Sequence, residues 1–176
     1  MKKLATFIGL FLVLFFIKCD KLDDLLTFYV EHNTTTTIEK VLSIPGLPID
    51  IPIPTISSNK TNDFENHNTK AELVKDVKLE ELTLTITNPA DKTFSFLGSI
   101  HIYISTNSED EIELAWKDNI SSVAQSISLE LTDEKLDKYL KSSTYSLRIE
   151  AGIKEILLQD VDLDIFLKFK VTADPI

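Results

Sequence analysis

The residues able to do chemistry in this chain are few, and the scarcest is the thiol. Cys19 is the only cysteine in 176 residues, so no disulfide can form within the chain. Three histidines, His32, His67 and His101, are the available bases near neutral pH. His32 and His67 lie in polar segments and read as ordinary surface residues. His101 falls on a strand face with Tyr103 and Ser105, opposite Ile100 and Ile102. No G-x-S-x-G is present, and four glycines leave no loop rich enough to cradle a phosphate. Zinc sites draw on clustered His and Cys, which are absent. Calcium has more to offer it: Asp160, Asp162 and Asp164 alternate along one run, and Ser108-Glu109-Asp110-Glu111 is a compact acidic loop. Carboxylates two apart on a strand stand about 6.6 Å from each other, too far to share one ion held at about 2.3–2.6 Å. A solvated acidic face is expected there. No two carboxylates stand out as a glycosidase pair. The expectation is a non-enzymatic protein with no metal and no cofactor.

What remains is binding. Tyr103, Trp116 and Phe166 are the candidate exposed aromatics, and Tyr103, Trp116 and Tyr145 together could form a platform for a sugar or small ligand. Trp116 shares its alternation phase with Ile112 and Leu114, which predicts core packing for it instead.

The N-terminus gives Cys19 a sharper meaning. Lys2 and Lys3 precede Leu4–Ile17, fourteen residues in which only Thr6 and Gly9 break the apolar character. As a helix this run would rise about 21 Å, short of a hydrocarbon core of about 30 Å. That is the length of a signal-peptide core, so residues 1–18 read as a signal peptide. Cys19 stands where the apolar run stops, just before Asp20-Lys21-Leu22-Asp23-Asp24. The arrangement resembles the lipobox of bacterial lipoproteins, whose cysteine is diacylated and becomes the first residue after cleavage. That family has a small residue before the cysteine and often Leu three before it, where this chain has Lys18 and Phe16. The resemblance implies lipid attachment at Cys19, palmitate among the acyl chains, and a lipidated tether over 19–27. An uncleaved signal anchor with an incidental thiol, or an ordinary secreted protein, are the other readings.

The elements that must position the candidates are mainly strands. Leu82, Leu84 and Ile86 alternate with Thr83, Thr85 and Thr87, and the turn signal Asn88-Pro89-Ala90-Asp91 follows. Phe96, Ile100, Ile102 and Ile104 form a second run with a bulge expected at Gly98. Further runs are Ile112-Leu114-Trp116, Val123-Ile127-Leu129-Leu131, and Tyr145-Leu147-Ile149-Ala151. The longest is Val161 to Val171, with six apolar residues at odd positions. A short helix is predicted over 70–77, and another capped by Thr132 with Leu136, Tyr139 and Leu140 on one face. Ile49, Ile51 and Ile53 alternate among prolines 48, 52 and 54, which suits an edge strand or crossover. Residues 57–70 read as a loop. No helical pattern is long enough to cover a parallel sheet. The chain therefore predicts an all-β antiparallel sandwich of seven to nine strands, with one or two short helices, in a single domain over 28–176.

Charge narrows the partners. From Asp20 onward the chain carries 15 basic and 28 acidic side chains, a net of −13. Such a surface repels phosphate backbones, so nucleic acid is not an expected partner. The stretch LEELTLTITNPADKTFSFLGSIHIYISTNSEDEIELAW, with the closing DVDLDIFLKFKVTA, resembles uncharacterised β-sandwich lipoproteins of Bacteroidetes-like bacteria. The acidic residues after Cys19 are similar to the signals that send such lipoproteins to the cell surface. These resemblances imply an envelope protein on the outer membrane or cell surface. It would be held by N-terminal acyl chains and would act as a protein-binding or structural module, or bind a carbohydrate or small ligand.

Overall fold

A computed structural model describes residues 26–40, 45–57, 64–67, 69–121 and 123–173. Period-two alternation dictates what these residues do: one row of each strand is buried and the other faces water. In chain order the strands are β1 (Thr27–Ile38), β2 (Pro48–Pro52), β3 (Ile56–Ser57), β4 (Val74–Asn88), β5 (Leu97–Ser105), β6 (Ile112–Lys117), β7 (Ser126–Ser128), β8 (Glu130–Leu131), β9 (Thr144–Ile153) and β10 (Val161–Ala173). The first sheet runs β1-β10-β4-β7 and the second β2-β9-β5-β6-β8, with β3 also paired to β9. All pairings are antiparallel. This is the all-β sandwich that the alternation predicts, with ten strands among the described residues, two of them only two residues long.

β10 is central because its inward row is the most continuous in the chain. Val161, Leu163, Ile165, Leu167, Phe169 and Val171 are all fully buried, and each such side chain stabilises the fold by about 1.5–3 kcal/mol. β1 flanks it over twelve residues without a register break, from Thr27↔Thr172 to Ile38↔Val161. Facing them across the sandwich are Ile100, Ile102, Ile104, Leu147, Ile149 and Ala151, none more than 3 % exposed. Between β7 and β8 the chain crosses from one sheet to the other with only Leu129 between. The predicted run over 123–131 is thus two short strands, and Val123 lies outside both at 82 % exposure.

Three other local expectations change. Residues 74–77 open β4, and the predicted helix shrinks to one 3₁₀ turn over Ala71–Leu73. Buried Val74 and Val77 pair with β10 across a bulge that absorbs their three-residue spacing. The second predicted helix, α1 (Asp137–Lys141), starts later than Thr132 and has no side-chain cap. The Thr132 hydroxyl instead donates to the carbonyls of Glu113 and Leu114, while Leu136, Tyr139 and Leu140 form the expected buried face. Within the polar stretch 57–70, Phe64 is buried and meets the edge of Phe28 with ring centres 6.3 Å apart.

Candidate functional site

Two of the three candidate aromatics share one surface. On β5 the inward row is Ile100, Ile102 and Ile104, so His101 and Tyr103 face outward. The register places Glu150 of β9 and Trp116 of β6 on either side of His101. The next rank is Arg148, Tyr103 and Glu113. Trp116 thus stands half-exposed on the outer face, a correction to the core packing predicted from its phase. The cause is a bulge: the register with β5 slips between Ile102 and Tyr103, and Leu114 and Ala115 are both buried. Two consecutive inward residues reverse the phase of everything after them. Phe166 is also half-exposed but lies on the other sheet, between Asn33 and Thr83 on the outer face. It belongs to no common platform with Tyr103 and Trp116. Tyr145 is excluded by burial at 1 % exposure.

The outer face is tightly cross-braced. The Arg148 guanidinium grips both oxygens of Glu111 at 2.7 and 3.1 Å, reaches Asp50 at 2.5 Å, and lies 4.2 Å over the Tyr103 ring. Those carboxylates, Glu111 above all, hold the guanidinium more firmly charged than usual. Partial burial, with the nearby Glu150 carboxylate, raises the Tyr103 phenol. His101 bonds through Nδ1 to Glu113 at 2.6 Å and approaches Asp118 through Nε2 at 3.4 Å. The Glu113 bond is the main cause of an imidazole pKa raised above its ordinary value. Acid outweighs base on this face, so it suits polar, hydroxyl-rich or basic contacts better than anions.

Beside it the β5–β6 hairpin encloses a depression of about 410 Å³ lined by Ser105, Thr106, Asn107, Ser108, Glu111 and Ser146. The acidic loop here is braced internally. Asp110 accepts hydrogen bonds from the Thr106 hydroxyl at 2.6 Å and from the amides of Thr106 and Asn107 at 2.7 and 3.1 Å. These bonds, the hydroxyl first, hold its carboxyl down at about 2. Asp162 and Asp160 are similarly taken up, by the Thr37 hydroxyl, the Asn88 amide and the Lys40 amide. Among the described residues no group of three or more His, Cys, Asp or Glu is placed to hold a metal.

Of the remaining histidines, His67 is exposed as expected, while His32 departs from the surface role read for it. His32 points toward the core side of β1 and meets the buried Tyr145 hydroxyl at 2.6 Å, joining the two sheets. His67 stacks on Phe28 with ring centres 4.3 Å apart. Arg148, Glu150, Glu113 and Asp50 were not legible as a group, because four separate segments supply the face with its Glu111. The usable signal was the outward phase of the β9 run, where Arg148 and Glu150 interrupt buried neighbours. Cys19, the signal segment 1–18 and residues 19–25 of the tether lie outside the described residues. β1 begins at Thr27, the last residue read as tether.

No protein-family profile matches the chain, and no curated protein matches it. Solved structures that share some likeness include three that are distant in sequence. A capsid structure of Helicobacter pylori bacteriophage KHP30 is 8% identical over 80% of this chain and 91% of its own, at a TM-score of 0.36. The decameric BFDV capsid protein is 9% identical over 84% and 98%, at 0.39. The Cocksfoot mottle virus structure is 6% identical over 86% of each chain, at 0.32. Scores this low lend the likenesses no weight.

Proposed function

We propose that this protein is a lipid-anchored cell-envelope module that binds a partner without catalysis, presenting the outer face of its second sheet. The observation that carries the anchoring is positional. The lone Cys19 follows a signal-length apolar run, and the first described strand begins eight residues later at Thr27. Two acyl chains bury enough methylene groups, at about 0.8 kcal/mol each, for stable attachment. The face around Tyr103, Trp116 and Arg148 supports the binding part, since its ion pairs lock side chains that would otherwise lose freedom on docking. In cells fed a clickable palmitate analogue, the wild type takes up label and Cys19→Ala does not; equal labelling of the two would refute the anchor.

A carbohydrate-binding reading is favoured by one observation, the half-exposed Tyr103 and Trp116 beside a hydroxyl-lined depression. Trp116 is the only tryptophan in the chain, so its fluorescence reports on that face alone. Titration with envelope glycans shifts the emission of the wild type and not that of Tyr103→Ala if this reading holds. Unchanged wild-type emission across the glycans sets it aside.

A further inference from the structure

A strand at the edge of a sheet offers unpaired peptide groups to any other strand, and folded proteins guard such edges with prolines, short strands, lysines or bulges. Most sheet ends among the described residues are guarded in this way. β2 carries Pro48 and Pro52, β3 and β8 are two residues long, and β7 is three. β1 is different. It ends the first sheet and runs for twelve residues with no proline, no lysine and no break in its register on β10. The Ala173 amide donates to the Leu26 carbonyl at 3.4 Å, one step before that register begins, and this sets the phase of the ladder. Even-numbered residues of β1 exchange bonds with β10, so odd-numbered ones turn their N–H and C=O to the open side. Tyr29, Glu31, Asn33, Thr35 and Thr37 are all exposed, and their edge-facing peptide groups meet no partner among the described residues.

This edge is complementary to itself. The nine residues centred on Thr34 are apolar at both ends, Val30 and Ile38, and polar between. Laid antiparallel on a second copy about Thr34, Val30 meets Ile38, Glu31 meets Thr37, His32 meets Thr36, and Asn33 meets Thr35. Buried Val30 and Ile38 then continue the core row across the joint, and no charge opposes a like charge. The register also obeys the phase, because Glu31–Thr37 and Asn33–Thr35 join residues whose peptide groups face the edge. Moving the centre to Thr35 would set Glu31 opposite Glu39, and moving it to Asn33 would leave Val30 opposite Thr36. We propose that β1 pairs with β1 of a second copy of this chain, joining the two first sheets into one. The assembly is isologous and closes at two, since the other described edges are guarded. A net of −13 per chain from Asp20 onward opposes association, but it is screened beyond about 8 Å, and Glu31 lies opposite Lys168 of its own sheet. The two-fold axis stands normal to the joined sheet, so both second-sheet outer faces point the same way. A partner with repeated units then meets two copies of the face around Tyr103 and Trp116. The pairing itself stands on the edge and not on the anchoring or binding proposed above.

Cysteine crosslinking in membranes of cells making the full-length protein tests both the contact and its register. At Thr34 the two chains meet as a non-hydrogen-bonded pair with Cα atoms about 4.5 Å apart, within disulfide reach. On mild oxidation Thr34→Cys gives a dimer whose digest contains a disulfide joining the two substituted positions. Ser121→Cys, on the exposed loop after β6, gives several-fold less. Adding Asn33→Lys/Thr35→Lys to Thr34→Cys sets like charges opposite each other across the joint and lowers the dimer several-fold. Adding Asn33→Lys/Thr35→Glu instead sets opposite charges there and keeps it. Both changes fall on exposed residues, so the split between them reads the joint and not the fold. Absence of the dimer from Thr34→Cys overturns the pairing, as does an equal yield from Ser121→Cys. Equal yields from the two charge pairs overturn it too. So does an adduct of Thr34→Cys to a different protein, which would make the edge a site for another chain's strand.

Discussion

His101 sits among carboxylates from two elements besides its own. Glu113 on β6 bonds its Nδ1, Asp118 beyond β6 faces its Nε2, and Glu150 lies across from it on β9. The hydrogen bond to Glu113 is the largest reason its pKa stands above 6.5 in the folded protein. A raised folded-state value means that the charged imidazole favours folding. That contribution is complete below the ordinary value of 6.5 and disappears as pH rises through the raised one. Glu113→Gln therefore moves the His101 titration, followed by NMR of the ring, downward but not fully back, because Asp118 remains. The difference in unfolding free energy between wild type and variant is present in acid and closes above the raised value. A titration that does not move would show that the 2.6 Å contact is not what charges the ring. Residues of this kind are only half legible from sequence. Alternation puts His101 and Tyr103 on the same outward row, but their partners come from strands whose register the sequence does not state.

Elements followed from pattern wherever the period was unbroken, as in β9 and β10, where every predicted inward residue is buried. Pattern failed at bulges. One slipped residue opposite Ile102 turned Trp116 outward, and another, opposite Thr172 and Ala173, made Val74 and Val77 look helical. The expected bulge at Gly98 was legible because the glycine breaks the run, and the register does shift between Leu97 and Ser99. Its partner strand carries Gly152 for a steric reason. A Cβ there would stand 2.5 Å from the Ser99 hydroxyl oxygen and 3.5 Å from its amide nitrogen. Gly152→Ala should lower stability by about 1–3 kcal/mol in denaturant unfolding, the usual cost of overpacking. Adding Ser99→Ala removes the closest atom and restores most of the loss. A double variant no more stable than the single would place the cost in the backbone instead.

At the scale of the whole molecule, the sandwich class was readable from the chain and its open edge was not. Prolines mark β2 as guarded, but nothing in the run from Thr27 to Ile38 states which strand lies beside it. The open side arises because β1 pairs with β10 alone and ends its sheet. The same geometry leaves the candidate binding face on the second sheet, across the core from β10's outward row. Phe64 shows the limit from the other side: one phenylalanine in a polar stretch carries no period, yet it fills the space against Phe28. The unbroken twelve-residue register of β1 on β10 also has a mechanical side. A pull on the segment before Thr27, resisted at the far end of the sandwich, runs along the strand axis. The ladder is then loaded in shear, with its hydrogen bonds sharing the force instead of parting one at a time.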